Sequence, residues 1–333
     1  MTKTIDFTRP PTKKEQQKLE GRLHRLDQQA YIAQIERVRR SIGGSLPPSG
    51  LVLRSGFSYR EEGIDTEASD RRAPSRKLRP PATRLISSRG AALRFALTLL
   101  AVVQTNRKPD TKARLSKLGI EIGGSSRKLG WADFLVADAT DSTLGGVHIT
   151  ARDKRARSVR NALTILEAAG LVSVPGEPGE RNRFENFVLL NERGAEAVGE
   201  AEEYRIPNSS EATFTIPAGL FEKGWLHILE DSEIALLLMV ACKKDGWIDN
   251  GFLVVPADVR LRRYGIHRDA YSSARKTLEW FGLLEVEELK RHGDGKAENS
   301  ELLLHRLRLV PAGFEKPAAL TMIQALSDQI ARA

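Results

Sequence analysis

With one cysteine in 333 residues, the chain can form no internal disulfide and can build no cysteine zinc site. Cys242 lies in the apolar run 234–242, where a buried structural thiol is expected rather than a reactive one. Aromatic residues make up only 6%, so the cores must rest mainly on Leu, Val, Ile and Ala. No run of 18 apolar residues occurs, and the opening MTKTIDFTRPPTKK has no apolar centre of a secretory signal. A soluble cytoplasmic protein is therefore expected. The histidines (His24, His148, His227, His267, His292 and His305) lie far apart and show no metal-ligand spacing. Enzyme motifs are missing too. Gly123-Gly124-Ser125-Ser126-Arg127-Lys128 lacks the spacing of a phosphate-cradling loop, and neither G-x-G-x-x-G after a strand nor G-x-S-x-G occurs. His267, Arg268 and Tyr271 sit on a stretch patterned to pack on a core, which speaks against a recombinase-like site. The expectation is no enzyme, no cofactor and no metal.

What is abundant is positive charge, and it is concentrated. The whole chain carries +9, yet residues 71–160 alone hold 20 Lys/Arg against 6 Asp/Glu. The rest of the chain is acidic by 5. A segmental excess of this kind points to a polyanionic partner. Arg71, Arg72, Arg76, Lys77, Arg79 and Arg84, interleaved with prolines, suit an arm along phosphates or in a minor groove. The lack of aromatics among them argues against a surface that stacks single-stranded bases.

Periodicity divides the chain. Residues 12–41 carry Leu19, Leu23, Leu26, Ala30, Ile32 and Ile35 at helical spacing and predict a polar N-terminal helix (domain 1–45), either docked or dimerising or else partly frayed. Residues 46–88, rich in Pro, Gly, Ser and Arg, predict a poorly ordered basic linker. Beyond it, 91–104 reads as a buried helix, 105–129 as a polar loop or insertion, and 131–140 as a short helix. Residues 152–170 form a strong helix pattern stopped at Gly170, followed by strands 171–174 and 184–190 around a polar turn at 175–182. After a second linker, 193–212, the order recurs: helices 231–244, 255–265 and 267–282, then strands 283–289 and 301–310. With an offset of 112, Ala162, Leu166, Glu167, Gly170, Leu171 and Val174 match Ala274, Leu278, Glu279, Gly282, Leu283 and Val286. A C-terminal helix covers 313–333. The fold class expected is mainly α with small β-hairpins, α+β.

The ending shared by both halves, helix–Gly–Leu–strand–turn–strand, resembles that of winged helix-turn-helix DNA-binding domains, over residues 89–192 and 213–312. The resemblance implies two such units in tandem and a partner of double-stranded DNA; the first departs from the pattern by its insertion at 105–129.

The residues of the helix 152–170 fit that role. Val159, Ala162, Leu163, Leu166 and Ala169 recur on a core-facing stripe, while Arg157, Arg160, Asn161 and Thr164 share an outward one. Arginine can donate two bonds to a guanine edge and asparagine can pair twice with adenine. Arg152, Lys154 and Arg155 mark the N-terminal approach, where phosphates are met. Asp153 is the only acid from 152 to 166. Arg181 and Arg183 on the wing could enter a minor groove or neutralise phosphates. In the second half, Arg268, Ser272, Arg275 and Lys276 are the outward candidates. There, however, residues 211–310 hold 14 Lys/Arg against 16 Asp/Glu, so dimerisation or packing on the first half is an alternative role. Three functions stay open at this point: a transcription-type regulator acting as a homodimer, a replication initiator of a plasmid or mobile element, and a winged-helix module that docks proteins.

Overall fold

The polar N-terminal stretch breaks where its apolar stripe changes side. In the computed structural model, strand β1 (Thr2–Thr4) precedes helices α1 (Lys13–Leu26) and α2 (Gln29–Ser41), which meet at Asp27-Gln28 in place of one helix over 12–41. α1 buries Leu19, Arg22 and Leu26, and α2 buries Gln34, Ile35 and Val38. Those two sets would point to different sides of one continuous helix, so the chain turns to bury both. The structure describes residues 2–4, 10–42, 46–47, 49–64, 72–87, 91–105, 107–125, 127–137, 139–180, 182–194, 202–289 and 305–332.

The stretch expected as a disordered linker contains packed structure. β2 (Leu51–Arg54) runs into a 3-10 turn at Ser55–Phe57, and a second turn at Arg76–Leu78 leads to the short helix α3 (Pro81–Arg84). Leu51, Leu53, Phe57 and Leu85 are fully buried. The cause is non-local. β2 pairs antiparallel with β7 (Thr213–Ile216), far along the chain, with Leu51 opposite Ile216. Gln104 secures β2 from the other side, accepting from the Val52 N–H at 3.0 Å and donating to the Val52 carbonyl at 2.7 Å. Four residues of alternation among prolines and glycines carried too weak a local signal.

The first half continues with α4 (Ala92–Gln104), 3-10 turns at Leu115–Leu118 and Trp131–Phe134, and a hairpin of β3 (Ser142–Leu144) and β4 (Val147–Ile149). α5 (Ala151–Ala168) follows, then the pair β5 (Val172–Ser173) and β6 (Val188–Leu189). A single 3-10 turn thus stands where a helix over 131–140 was expected. It is anchored by the fully buried Trp131, whose ring meets Phe95, Phe134 and Phe187 at 5.2–6.1 Å between centroids. Part of the second expected linker is likewise structural: Tyr204 and Ile206 are buried, and their backbone bonds Leu189 on one side and Thr111 on the other.

The second half runs through short helices α6 (Gly219–Glu222) and α7 (Trp225–Ile228) into α8 (Asp231–Cys242). A hairpin of β8 (Trp247–Asp249) and β9 (Phe252–Val254) precedes α9 (Ala257–Arg262), α10 (Arg268–Trp280), β10 (Leu284–Leu289) and β11 (His305–Leu309). α11 (Pro311–Phe314) and α12 (Ala318–Ile330) close the described chain. The sheet order is β1-β10-β11-β9-β8, antiparallel throughout, so the N-terminal strand completes a sheet built by the C-terminal half. The architecture is α+β with small antiparallel sheets, and one continuous buried cluster extends from Leu19 to Leu326. Among the described residues, no helix is long and apolar enough to cross a membrane.

The matched residues of the two halves occupy matching geometry. Gly170 and Gly282 adopt φ of 70° and 69°, a left-handed conformation that favours glycine. Each glycine N–H bonds the residue three back (Glu167, Glu279) at 2.9 Å, and the following leucine N–H bonds the residue five back (Leu166, Leu278), also at 2.9 Å. This pair of hydrogen bonds is the Schellman stop. The leucines it turns inward, Leu171 and Leu283, are both buried. The repeated residues are therefore the ones that turn a helix back onto its own core.

Two buried polar sites tie the N-terminal helices to the second half. Arg22 of α1 meets Glu233 of α8 at 2.6 Å, and its guanidinium lies 5.1 Å over the Phe281 ring. His227 of α7 is buried, its carbonyl accepts from the Tyr31 hydroxyl at 2.8 Å, and burial, aided by the charges of Arg94 and Arg39, lowers its pKa from 6.5 to about 3. A histidine kept neutral in the fold costs stability once the unfolded chain binds the proton the fold refuses. Stability should thus fall as pH drops from 6.5 towards 3, with a slope of up to about 1.4 kcal/mol per pH unit from this group. Denaturant unfolding of the wild type and His227→Gln across that range checks it. The gap between the two must narrow on acidification; a gap independent of pH would refute the assignment.

Candidate nucleic-acid interface

α5 is fixed at its start by two carboxylates. Thr150 and Asp153 form a capping box, with the Asp153 N–H donating to Thr150 Oγ1 at 3.1 Å and the Thr150 N–H donating to Asp153 Oδ2 at 3.1 Å. Asp141, at the foot of the β3–β4 hairpin, accepts the Ala151 N–H at 2.6 Å. The hydrogen bonds from Thr150, and then the charges of Arg157 and Arg160, hold the Asp153 carboxyl below its ordinary pKa. These acids occupy amide donors that had been expected to meet phosphate.

The three cations of the expected N-terminal approach are turned inward to the protein. Arg152 pairs with the buried Asp133 at 3.1 Å, and Lys154 Nζ donates to the Thr140 carbonyl at 2.7 Å. Arg155 is itself buried, donating to the Ala132 carbonyl at 3.2 Å. Burial, with Arg37 and Arg152 near by and Asp133 opposing, lowers its pKa. Arg155 is thus removed from the candidate contacts: its side chain projects from the helix face that carries Ala156 and Val159 into the core.

Arg157, Arg160, Asn161 and Thr164 are all exposed, and they line one side of α5 while Val159, Ala162, Leu163 and Leu166 are buried on the other. They form the outward stripe that the spacing predicts. Among the described residues, no side-chain hydrogen bond or ion pair engages Arg157, Arg160 or Asn161, and the Thr164 hydroxyl bonds only back to the Arg160 carbonyl at 3.1 Å. Two guanidiniums, an amide and a hydroxyl are thus presented on a rigid helix, the donor and acceptor set that reads base edges.

The turn between β5 and β6 is less basic than expected of a wing. Arg183 is half-buried, pairs with Glu167 of α5 at 2.6 Å and stacks 5.0 Å over the Phe184 ring, so it braces the hairpin on the helix. Glu177 and Glu180 stand exposed near by. Arg181 lies outside the described residues. The β3–β4 hairpin projects beside the start of α5 with Val147 and His148 exposed. Its Gly145-Gly146 pair, both at positive φ, was the available signal for a tight hairpin turn. Arg37 of α2, 3.6 Å from Asp133 and half-exposed, also joins this end of α5 from outside the predicted set.

The equivalent helix of the second half is equipped differently. By the offset of 112, the outward stripe of α5 maps onto Asp269, Ser272, Ser273 and Lys276 of α10, with an acid and no arginine. Lys276 pairs with Glu15 of α1 at 3.2 Å and Ser272 is half-buried. Arg275 is buried beside the Tyr271 ring, at the position matching buried Leu163, so it cannot be an outward contact. Arg268 stands exposed at the first position of α10.

Comparison with family models, with curated proteins and with solved structures returns no match for this chain.

Proposed function

We propose that the chain binds double-stranded DNA through two winged-helix units in tandem, with α5 as the major-groove reader. The observation that carries this reading is the exposed, uncommitted stripe of Arg157, Arg160, Asn161 and Thr164 on a capped 18-residue helix. The helix-hairpin-helix-helix-strand-strand order of residues 231–309, with β11 between β10 and β9, supports the winged-helix reading of the second unit. The near-identical helix-to-strand corners support treating the first as its relative. The basic balance of residues 71–160 supplies the long-range attraction to a duplex. DNA binding, rather than catalysis or protein docking, is then the task of this surface.

Among DNA-binding roles, a transcription-type regulator acting as a homodimer and a replication initiator of a mobile element differ in target. A dimeric regulator places two copies of α5 on a palindrome. Two dissimilar units joined by one continuous core suit an asymmetric or directly repeated site bound by a single chain, and this favours the initiator as the second reading. Mapping the DNA bound in cells, followed by affinity measurement on the recovered site over a salt series, tests both. A log–log salt slope of about −4 or steeper is expected for several phosphate contacts. A flat slope, or no enriched sequence, would remove the proposal.

A further inference from the structure

Away from the α5 face lies a half-open cavity of about 470 Å³ between β2, α3 and the residues after β6. Five arginines line it, among them Arg60, Arg79, Arg84 and Arg193. Each of these four donates to an oxygen of the protein. Arg60 donates to the Leu78 carbonyl at 3.0 Å, Arg79 through Nε to the Pro74 carbonyl at 2.8 Å, Arg84 through Nε to the Arg79 carbonyl at 3.1 Å, and Arg193 through Nε to Asn191 Oδ1 at 3.3 Å. For Arg79 and Arg193 the terminal nitrogens have no hydrogen-bond or ion-pair partner among the described residues, which leaves two planar forks directed by their tethered Nε.

The stems of these two arginines are seated in the backbone. A Cβ at Gly56 would come within 2.8 Å of Arg193 Cγ, and one at Gly265, whose φ is +72°, within 2.7 Å of Thr83 Oγ1 and 3.1 Å of Arg79 Cγ. Among the described residues no carboxylate forms an ion pair with Arg79; burial, and then the charge of Arg76, lowers its pKa. Such a half-desolvated cation gains from an anion. A fifth arginine on the wall, Arg54, is already neutralised by Glu192 at 2.8 Å and Glu211 at 2.8 Å. Glu61 and Glu62 also line the cavity; Glu61 is highly exposed and directed to Lys244 at 3.9 Å. Pro80 and Pro81 supply an apolar wall. A cavity of this volume is in the range of small-ligand sites.

We infer that this cavity is a phosphate-ester site, sized for one nucleotide unit, with the guanidinium forks of Arg79 and Arg193 as its anion clamp. The inference does not depend on α5 reading DNA. The same chemistry has two sources, a free nucleotide or a phosphodiester of a bound strand, and the test separates them. The full chain is titrated by calorimetry with AMP, ADP, pyrophosphate and inorganic phosphate, and with the recovered duplex. Arg79→Gln with Arg193→Gln is compared with Arg193→Gln alone, whose half-exposed side chain leaves the fold intact, and circular dichroism checks each variant. If a free ester is the ligand, AMP or ADP binds one per chain and the double variant weakens it about tenfold or more. If a strand phosphate is the ligand, free esters do not bind, and the double variant instead lowers the steepness of the duplex salt slope by about two. Arg157→Ala with Arg160→Ala should leave AMP and ADP binding unchanged. The inference is overturned if folded wild type binds none of the four small probes and the duplex slope is unmoved, or if a probe binds equally well to the arginine variants.

Discussion

Alanine at both Arg157 and Arg160 is expected to weaken binding to a specific duplex about 100-fold or more at moderate salt, with little change in unfolding midpoint. Both side chains are exposed and neither takes part in a hydrogen bond or ion pair among the described residues, so the fold loses no partner when they are cut back. The start of α5 is held independently by Thr150, Asp153 and Asp141, and its end by the Gly170 corner. Arg155→Ala serves as the counter-experiment on the same helix. Its side chain is buried against Ala132, so its loss should lower stability before it touches affinity. Fluorescence anisotropy on the recovered site, paired with thermal unfolding, reads both effects. Should the double variant bind as the wild type does while Arg155→Ala remains stable, the assignment of the outward stripe as the reading face would fail.

The second large effect concerns stability. Arg22→Met should destabilise the fold by about 3–5 kcal/mol, because it leaves the Glu233 carboxylate buried without its cation. Glu233 also accepts the Glu230 N–H at 2.8 Å and the Thr277 hydroxyl at 2.5 Å, so one carboxylate joins α1, the start of α8 and α10. Burial disfavours the Arg22 charge, but Glu233 and Glu230 outweigh it and raise its pKa overall. Glutamine at 233 keeps the accepting oxygen and removes the charge. The pair Arg22→Met with Glu233→Gln should therefore recover much of the loss in urea unfolding. A double variant no better than the single one would show that packing on Phe281, rather than the uncompensated charge, carries the cost.

Much of the first half's key helix was legible because its signals are local. Residues at three- and four-residue spacing marked both faces of α5, and a glycine marked its stop. The same spacing erred at Arg275, and the position of Arg155 at the helix start misled in the same way. Stripe membership tells which way a side chain starts, not whether its polar end reaches water or a carbonyl. Arg155 finds Ala132, and Arg275 occupies a site equivalent to Leu163 next to Tyr271. Arg183 lies in the turn between β5 and β6, yet its charge is spent on Glu167, a partner 16 residues earlier that no local pattern couples to it.

The segment 152–170 thus determined by its own residue pattern that a helix would form, where it would end and which four polar side chains it would turn outward. Local spacing also sufficed for the matching corner at Gly282, since a Schellman stop needs only neighbours within five residues. Tertiary structure alone decided which of the surrounding cations remain available. It withdrew Arg152, Lys154 and Arg155 into contacts with Asp133, Thr140 and Ala132, and it converted an apparent linker into a strand by pairing Leu51 with Ile216. It also gathered Arg60, Arg79, Arg84 and Arg193 from segments over 100 residues apart into one cavity. The physical reason is common to all three: partners distant in the chain contribute nothing to local periodicity, while burial and pairing energies depend only on distance in space.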